Sequence, residues 1–108
     1  MQKYLVLYRS PASAREQMAN ASPEQAQAGM EAWMAWSKRA GEAIVDLGSP
    51  LGDAANLGAT PSSEPIGGYS ILQADSLEAV KRVLEGHPHL HMPGASIEVL
   101  EFLGMPGT

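Results

Sequence analysis

The sequence predicts an α+β domain of ferredoxin-like βαββαβ order, with a four-stranded antiparallel sheet and both long helices on one of its faces. Two observations support this fold class. Four short runs rich in aliphatic and aromatic residues are separated by two segments with helical periodicity and clear caps. The strand runs also carry apolar residues at consecutive positions rather than in strict alternation, which indicates a sheet covered on both faces.

The first half of the chain supplies a strand and a long helix. The run "KYLVLY" (Lys3–Tyr8) is the first strand, and the polar segment 9–22 contains "SAREQMANA", which predicts a short helical turn. Ser22 and Gln25 form a capping box around a proline that suits the first helical position, and Gly41 ends the helix. Its apolar stripe is predicted at Ala26, Met30, Trp33, Met34 and Ser37.

The second half repeats the pattern after a loop. "EAIVDLG" is the second strand, and the Gly-, Pro- and Ser-rich stretch Gly48–Gly68 predicts a long loop of the kind that often serves binding. Tyr69–Ala74 is the third strand and Ser96–Phe102 the fourth. Between them a helix is predicted from an Asp75 cap to Gly86, with a buried face of Leu77, Val80, Val83 and Leu84. The tail 104–108 is expected to be loose.

The strands predict a homodimer. In the first strand Tyr4, Val6 and Tyr8 lie on one side, and Leu5 and Leu7 on the other. If helices cover one side, the other would remain an apolar patch larger than monomers usually expose. We therefore expect a second copy to pack sheet to sheet against it.

Composition limits the partners. The 108 residues suit one domain, 1–108, and the net charge of −5 argues against nucleic acid and anionic membranes as partners. The chain has no cysteine, and no run is apolar enough for a signal peptide or a membrane span. We expect a cytoplasmic protein without a cofactor or a bound metal.

All three histidines fall in "EGHPHLHMPG", as His87, His89 and His91. Alternate spacing on a strand would place them on one face, as a metal site needs. Pro88 and Pro93 favour a loop instead, in which the histidines are either solvated or, for one of them, in contact with a ligand. His87 is the best candidate for that contact.

Asp46 lies among apolar residues of the second strand, so it is either an acid lining a cleft or an edge-strand charge that discourages pairing. Trp33 and Trp36 are three residues apart and can border one surface, as a pocket wall together with Met30 and Met34 or simply as core. The candidate catalytic residues are Asp46 and His87, and the candidate substrate-binding residues are Trp33, Trp36, Ser49 and Tyr69.

The segments "GGYSILQADSLEAVKRVLEGHPHL…GASIEVLEF" and "YLVLYR…WMAWSKRAGEAIVDLGSPLG" resemble the YCII-related (DGPF-type) family. This resemblance implies the dimeric α/β-barrel superfamily and a cleft between sheet and helices in each subunit. Some family members occur beside sigma factors. Some relatives are thought to use a histidine of the first helix with an aspartate, for which Asp46 or Asp53 is the match here.

The chain departs from that pattern in two places. "SSEPI" stands where the DGPF signature would fall, and no histidine precedes His87, since the first helix carries Met30 and Trp33 instead. The family's acid–base pair therefore does not carry over. The favoured hypothesis is a small cofactor-independent enzyme acting on an apolar or aromatic metabolite. The alternatives are a non-catalytic ligand-binding or regulatory module, for example in a sigma-factor system, and a dimerisation scaffold without a ligand.

Overall fold

The computed structural model describes residues 1–58 and 65–104. It is an α+β domain whose described strands form one four-stranded antiparallel sheet, which confirms the predicted fold class. The strands are β1 (Gln2–Arg9), β2 (Ile44–Asp46), β3 (Ile66–Ala74) and β4 (Ser96–Glu101). The helices are α1 (Ala14–Asn20), α2 (Pro23–Ala40) and α3 (Leu77–Leu84), with short 3₁₀ turns at Gly41–Ala43 and Pro88–His91.

The strands lie in the order β2-β3-β1-β4, as the split βαββαβ pattern requires. The central strand β1 pairs antiparallel with β3 on one side and with β4 on the other. Leu5 lies opposite Ile71 and Leu100 in these two ladders, and Leu7 lies opposite Tyr69. Residues directly opposite each other share a face, so these five side chains lie on one largely apolar surface, the open face, which also carries Glu98 opposite Leu7.

Helices α2 and α3 pack on the other side of the sheet. The core there joins β1 and β3 to both helices through Tyr4, Val6, Tyr8, Trp36, Leu72, Ala74, Val80 and Leu84. The short α1 has no buried residue and precedes α2 as the sequence predicted. In the described part of the chain, no helix is both long and apolar enough to cross a membrane.

The predicted cap of α2 is confirmed. The Gln25 N–H donates to Ser22 Oγ at 3.1 Å, and the Ser22 N–H donates to Gln25 Oε1 at 2.9 Å. The cap of α3 lies one residue later than predicted, because Ser76 rather than Asp75 accepts the Ala79 N–H at 3.1 Å. Either residue type can cap, so spacing alone did not separate them.

Four details of the predicted helices and strands are wrong. Met30 and Met34 are 65% and 51% exposed, because α2 turns Trp33 and Trp36 toward the sheet. Leu77, predicted on the buried face of α3, is 49% exposed. The second strand is limited to three residues because a 3₁₀ turn occupies its predicted start, whereas β3 begins three residues earlier than predicted.

The predicted loop Gly48–Gly68 is described up to residue 58 and from residue 65. Pro50 forms an isolated bridge to Gly68, and the Leu51 N–H donates to Gly67 O, so the beginning of the loop runs beside β3. Residues 59–64, which include most of "SSEPI", lie outside the described residues. So do residues 105–108 of the predicted tail.

Candidate functional site

His87 lies at the centre of an aromatic cluster between the sheet and α2. It follows α3 and precedes the turn Pro88–His91, and its side chain is 0% exposed. The imidazole stacks on the ring of Tyr8, with centroids 5.0 Å apart, and contacts Trp33 and Trp36 at 4.5 Å and 4.4 Å. We call His87, Tyr8, Trp33 and Trp36 the aromatic cluster. The structure therefore brings together three of the predicted site residues.

The two ring nitrogens of His87 have different surroundings. Nδ1 accepts the backbone N–H of His89 at 3.0 Å. Nε2 is buried and has no hydrogen-bond partner among the described residues. Because Nδ1 accepts, the proton of the neutral ring resides on Nε2. The cluster thus contains a buried N–H donor for which residues 1–58 and 65–104 provide no acceptor.

The ring stays neutral at neutral pH. Burial, with smaller contributions from positive charge on His89, Arg39 and His91, lowers the pKa of His87 to about 4. With Nδ1 occupied as an acceptor and Nε2 protonated, no ring nitrogen offers a free lone pair. In this arrangement His87 can donate a hydrogen bond from Nε2, but it cannot accept a proton there or bind a metal ion.

The other two histidines have different environments. His89 is 7% exposed, and its Nε2 lies 2.8 Å from Arg9 O and 3.0 Å from Ser96 O. Both oxygens are acceptors, so Nε2–H donates to them and joins the end of β1 to the start of β4. His91 is exposed.

The solvated-loop hypothesis is consequently wrong for His87 and His89, because the stretch folds back onto the sheet instead of extending into water. Within residues 1–58 and 65–104, no group of three His, Cys, Asp or Glu side chains is placed to hold a metal ion.

Tyr8 and Ser70 belong to the site but were not predicted as site residues. The Tyr8 hydroxyl and Ser70 Oγ are 2.8 Å apart, and Ser70 Oγ donates to Leu47 O at 2.7 Å. The serine hydrogen is thereby used, so the tyrosine donates. Burial raises the pKa of Tyr8 to about 12. The alternation of Tyr4, Val6 and Tyr8 in β1 was the available signal, because it places Tyr8 at the end of the helix-facing row.

Asp46 and Tyr69 lie elsewhere. Asp46 Oδ1 accepts the Gly48 N–H at 2.9 Å, and Oδ2 accepts the Tyr69 hydroxyl at 3.2 Å. That hydrogen bond and the negative charge of Asp46 raise the pKa of Tyr69. Tyr69 precedes the inward-facing Ser70 in β3, so its ring lies on the open face. Asp46 and His87 are therefore on opposite sides of the sheet within one subunit.

Ser49 is also outside the aromatic cluster. Its side chain is exposed and donates to Pro50 O at 3.1 Å, while its backbone O accepts the Tyr69 N–H at 3.3 Å. The preceding Gly48 has φ +84°, and a Cβ there would lie 1.7 Å from Tyr69 O. Only glycine permits this close approach of the loop to β3.

Two shallow grooves lie on the helix side of the molecule. One, of about 240 Å³, is lined by Arg39, Ala40, Arg82 and Val83. The other, of about 220 Å³, is lined by Ala32, Ala35, Trp36, Arg39, Gly86, Pro88 and His91. His87 lines neither, although the second groove contains both of its chain neighbours.

No protein-family model and no curated protein matches this chain. Among solved structures, it is similar to 5-chloro-2-hydroxyhydroquinone dehydrochlorinase from Burkholderia phenoliruptrix AC1100, determined in complex with 2,5-dihydroxybenzoquinone. The identity is 19% and the TM-score 0.49, over 89% of this chain and 90% of that chain. A likeness this distant transfers no activity, ligand or family membership, so the resemblance to the YCII-related family stays a prediction.

Proposed function

We propose that the chain is a small cofactor-independent enzyme that binds an apolar, planar metabolite through one acceptor oxygen, with Nε2–H of His87 as the donor. The unpartnered Nε2–H in the aromatic cluster carries this proposal. Buried polar groups in proteins are nearly always hydrogen-bonded, and an unsatisfied one costs about 1–3 kcal/mol. A carbonyl or phenolate oxygen of a ligand would remove that cost.

The residues around His87 favour one chemical class of ligand. Tyr8, Trp33 and Trp36 offer ring faces and edges, which suit an aromatic or other planar apolar body. A cationic ligand group would offer no acceptor for Nε2–H. Ligands with a neutral or anionic oxygen are therefore favoured.

The role of His87 follows from its protonation state. A neutral imidazole that donates from Nε2 polarises a carbonyl and stabilises the negative charge that develops on its oxygen. His87 is thus an electrophilic hydrogen-bond donor rather than a base. Any base of the reaction would be a second group, and Asp46 of the same subunit lies on the other side of the sheet.

Access requires movement. Since His87 is fully buried, a ligand reaches Nε2 only when part of the cluster is displaced. Trp33 is the partly exposed ring of the cluster and lies on α2 beside the exposed Met30 and Met34. We propose that displacement of Trp33 gives a ligand access to the imidazole.

A non-catalytic ligand-binding or regulatory module would use the same contacts without turnover. A pure scaffold would instead satisfy Nε2–H with a buried water, which such sites commonly hold. The sigma-factor connection stays a prediction.

Acetophenone and α-methylstyrene test the proposal, because they share a shape and differ in C=O against C=CH₂. Acetophenone should bind about 10-fold more tightly, the value of one hydrogen bond of about 1.4 kcal/mol. Its carbonyl stretch should shift to lower frequency on binding. Hydrophobicity alone predicts the reverse order of affinity, so equal or tighter binding of α-methylstyrene would overturn the proposal.

The matched variants are His87→Asn and His87→Gln. The Asn oxygen can still accept the His89 N–H but offers no donor at the Nε2 position, so the preference for acetophenone should disappear. Gln places an amide N–H near the position of Nε2, so this variant should retain part of the preference for acetophenone. Retention of the full preference in His87→Asn would remove His87 from the site.

We also infer that a second copy of the chain covers the open face. Leu5 lies between Ile71 and Leu100 there, with Leu7 and Tyr69 adjoining, while α2 and α3 occupy the opposite face. A continuous apolar surface across three strands is typical of an interface. A sheet-to-sheet contact between the two copies would bury this face.

A further inference from the structure

We infer that Arg39 is a positioning residue for His87: it ties the turn that carries the imidazole to α2. This inference rests on the proposed function, since it assigns what keeps the Nε2–H donor of that site in place. Arg39 does not belong to the aromatic cluster. It acts through the backbone between α3 and His87.

The last turn of α3 leaves carbonyl groups without helical partners, as every helix end does. Two of them are satisfied by α2. Trp36 Nε1–H donates to Val83 O at 3.0 Å, and Arg39 Nη2–H donates to Glu85 O at 2.7 Å. Trp36 and Arg39 are three residues apart and therefore lie on the same face of α2.

Each carbonyl from Val83 to Glu85 thus has a donor, because Leu84 O accepts the His87 N–H at 3.1 Å. Only Gly86 separates Glu85 from His87, and its φ of +71° makes the chain turn sharply. The Arg39 guanidinium covers this glycine, since a Cβ there would lie 3.7 Å from Nη2 and 3.8 Å from Nη1.

Arg39 has an electrostatic effect as well. The titratable and charged groups that face His87 are Arg39 of α2, His89 and His91 of the following turn, and Tyr8 of β1. The fixed positive charge of Arg39 opposes protonation of the imidazole, in the same direction as burial. The hydrogen bond from Arg39 to Glu85 O and the charge of Arg39 therefore both favour the neutral ring with its proton on Nε2.

The test compares Arg39→Met, which removes donors and charge, with Arg39→Lys, which keeps one donor and the charge. Arg82→Met is the control, because Arg82 lines the neighbouring groove without a hydrogen bond to the His87 turn among the described contacts. The first readout is the pKa of His87 in the folded protein by NMR. The second is the affinity for acetophenone.

In Arg39→Met we expect the pKa of His87 to rise toward its ordinary value, because the fixed positive charge and the hydrogen bond to Glu85 O are both lost. Acetophenone binding should weaken by about 10-fold, as expected when one donor loses its orientation. Arg39→Lys should show a smaller change in both, and Arg82→Met none. Arg39 is exposed, so these variants are expected to fold. If Arg39→Met does not fold, the comparison of the wild type with Arg39→Lys and Arg82→Met still tests the inference.

A purely structural role predicts another result. Arg39→Met would then lower the free energy of unfolding while leaving the affinity unchanged, Arg39→Lys would keep the wild-type pKa of His87, and the inference would be wrong. The two readouts also separate this inference from the proposed function. If the wild-type protein does not bind acetophenone, the proposed function fails, while the pKa of His87 in Arg39→Lys, which keeps the charge, still decides whether Arg39 positions the ring.

Discussion

The backbone N–H of His89 donates to Nδ1 of His87 at 3.0 Å, and this contact determines the chemistry available to the buried imidazole. With Nδ1 occupied as an acceptor, the neutral ring carries its proton on Nε2. His87 and His89 therefore have different roles in the turn. His89 joins β1 to β4 through its own ring, and its backbone sets the tautomer of its neighbour.

His87 makes stability depend on pH. Its pKa is about 4 in the folded protein against 6.5 for the free side chain. Between these values the unfolded chain binds more protons, so the contribution is complete above about pH 6.5 and is lost as pH falls toward 4. At about 1.36 kcal/mol per pKa unit, the full loss is about 3 kcal/mol.

Urea unfolding at about pH 7 and about pH 4.5 measures this loss. His87→Gln should lose less stability than the wild type over that interval, because its side chain does not titrate. His91→Gln, at an exposed position, should keep the wild-type dependence. Identical losses in the wild type and His87→Gln would show that His87 titrates in the folded protein as it does when unfolded.

His89→Ala should lower the free energy of unfolding by about 1–3 kcal/mol. The change removes the donor shared by Arg9 O and Ser96 O and leaves both carbonyls without it. His91→Ala, an exposed neighbour, should change stability by less than about 0.5 kcal/mol. Chemical denaturation of both variants checks this, and equal effects would contradict the structural role of His89.

Asp46→Asn should lower the pKa of Tyr69 toward its ordinary value, since the carboxylate accepts from the phenol and raises that pKa. Ultraviolet titration of the tyrosines measures the shift, with Asp53→Asn as the control. The affinity for acetophenone should stay at the wild-type level, because Asp46 and His87 lie on opposite sides of the sheet. Loss of acetophenone binding in Asp46→Asn would place Asp46 in the site.

Ile71→Lys should dissociate the proposed homodimer, because it places a charge in the middle of the open face. Met18→Lys, on the exposed α1, should leave the dimer intact. Sedimentation equilibrium at micromolar concentration distinguishes the two states. A wild-type protein that is monomeric under those conditions would contradict the dimer.

The fold was predictable because its signals are local. The Ser22 and Gln25 capping box and the aliphatic and aromatic run that forms β1 each depend on residues close together in sequence. The order of these elements was sufficient for the βαββαβ assignment. Local signals failed where two neighbouring residues can each cap a helix, as at the start of α3, where Ser76 rather than Asp75 accepts the hydrogen bond.

The site was predictable only in part. Trp33, Trp36 and His87 were identified by residue type, but the burial of His87 depends on Tyr8, which is 79 positions earlier in the chain. Prolines and glycines around the histidines are typical of exposed loops, and they gave no sign that the turn packs inward. Separating Tyr69 from the aromatic cluster required knowing the register of β3 against β1, which alternation within one strand does not provide.

The most direct test of the central claim is a ¹⁵N NMR titration of the His87 ring in the folded protein. We predict that at neutral pH Nδ1 is unprotonated and accepts a hydrogen bond, that Nε2 carries the proton, and that the ring titrates near a pKa of about 4. A ring with its proton on Nδ1, or one that titrates near 6.5, would contradict the claim. His87 would then not be the buried donor on which the proposed site depends.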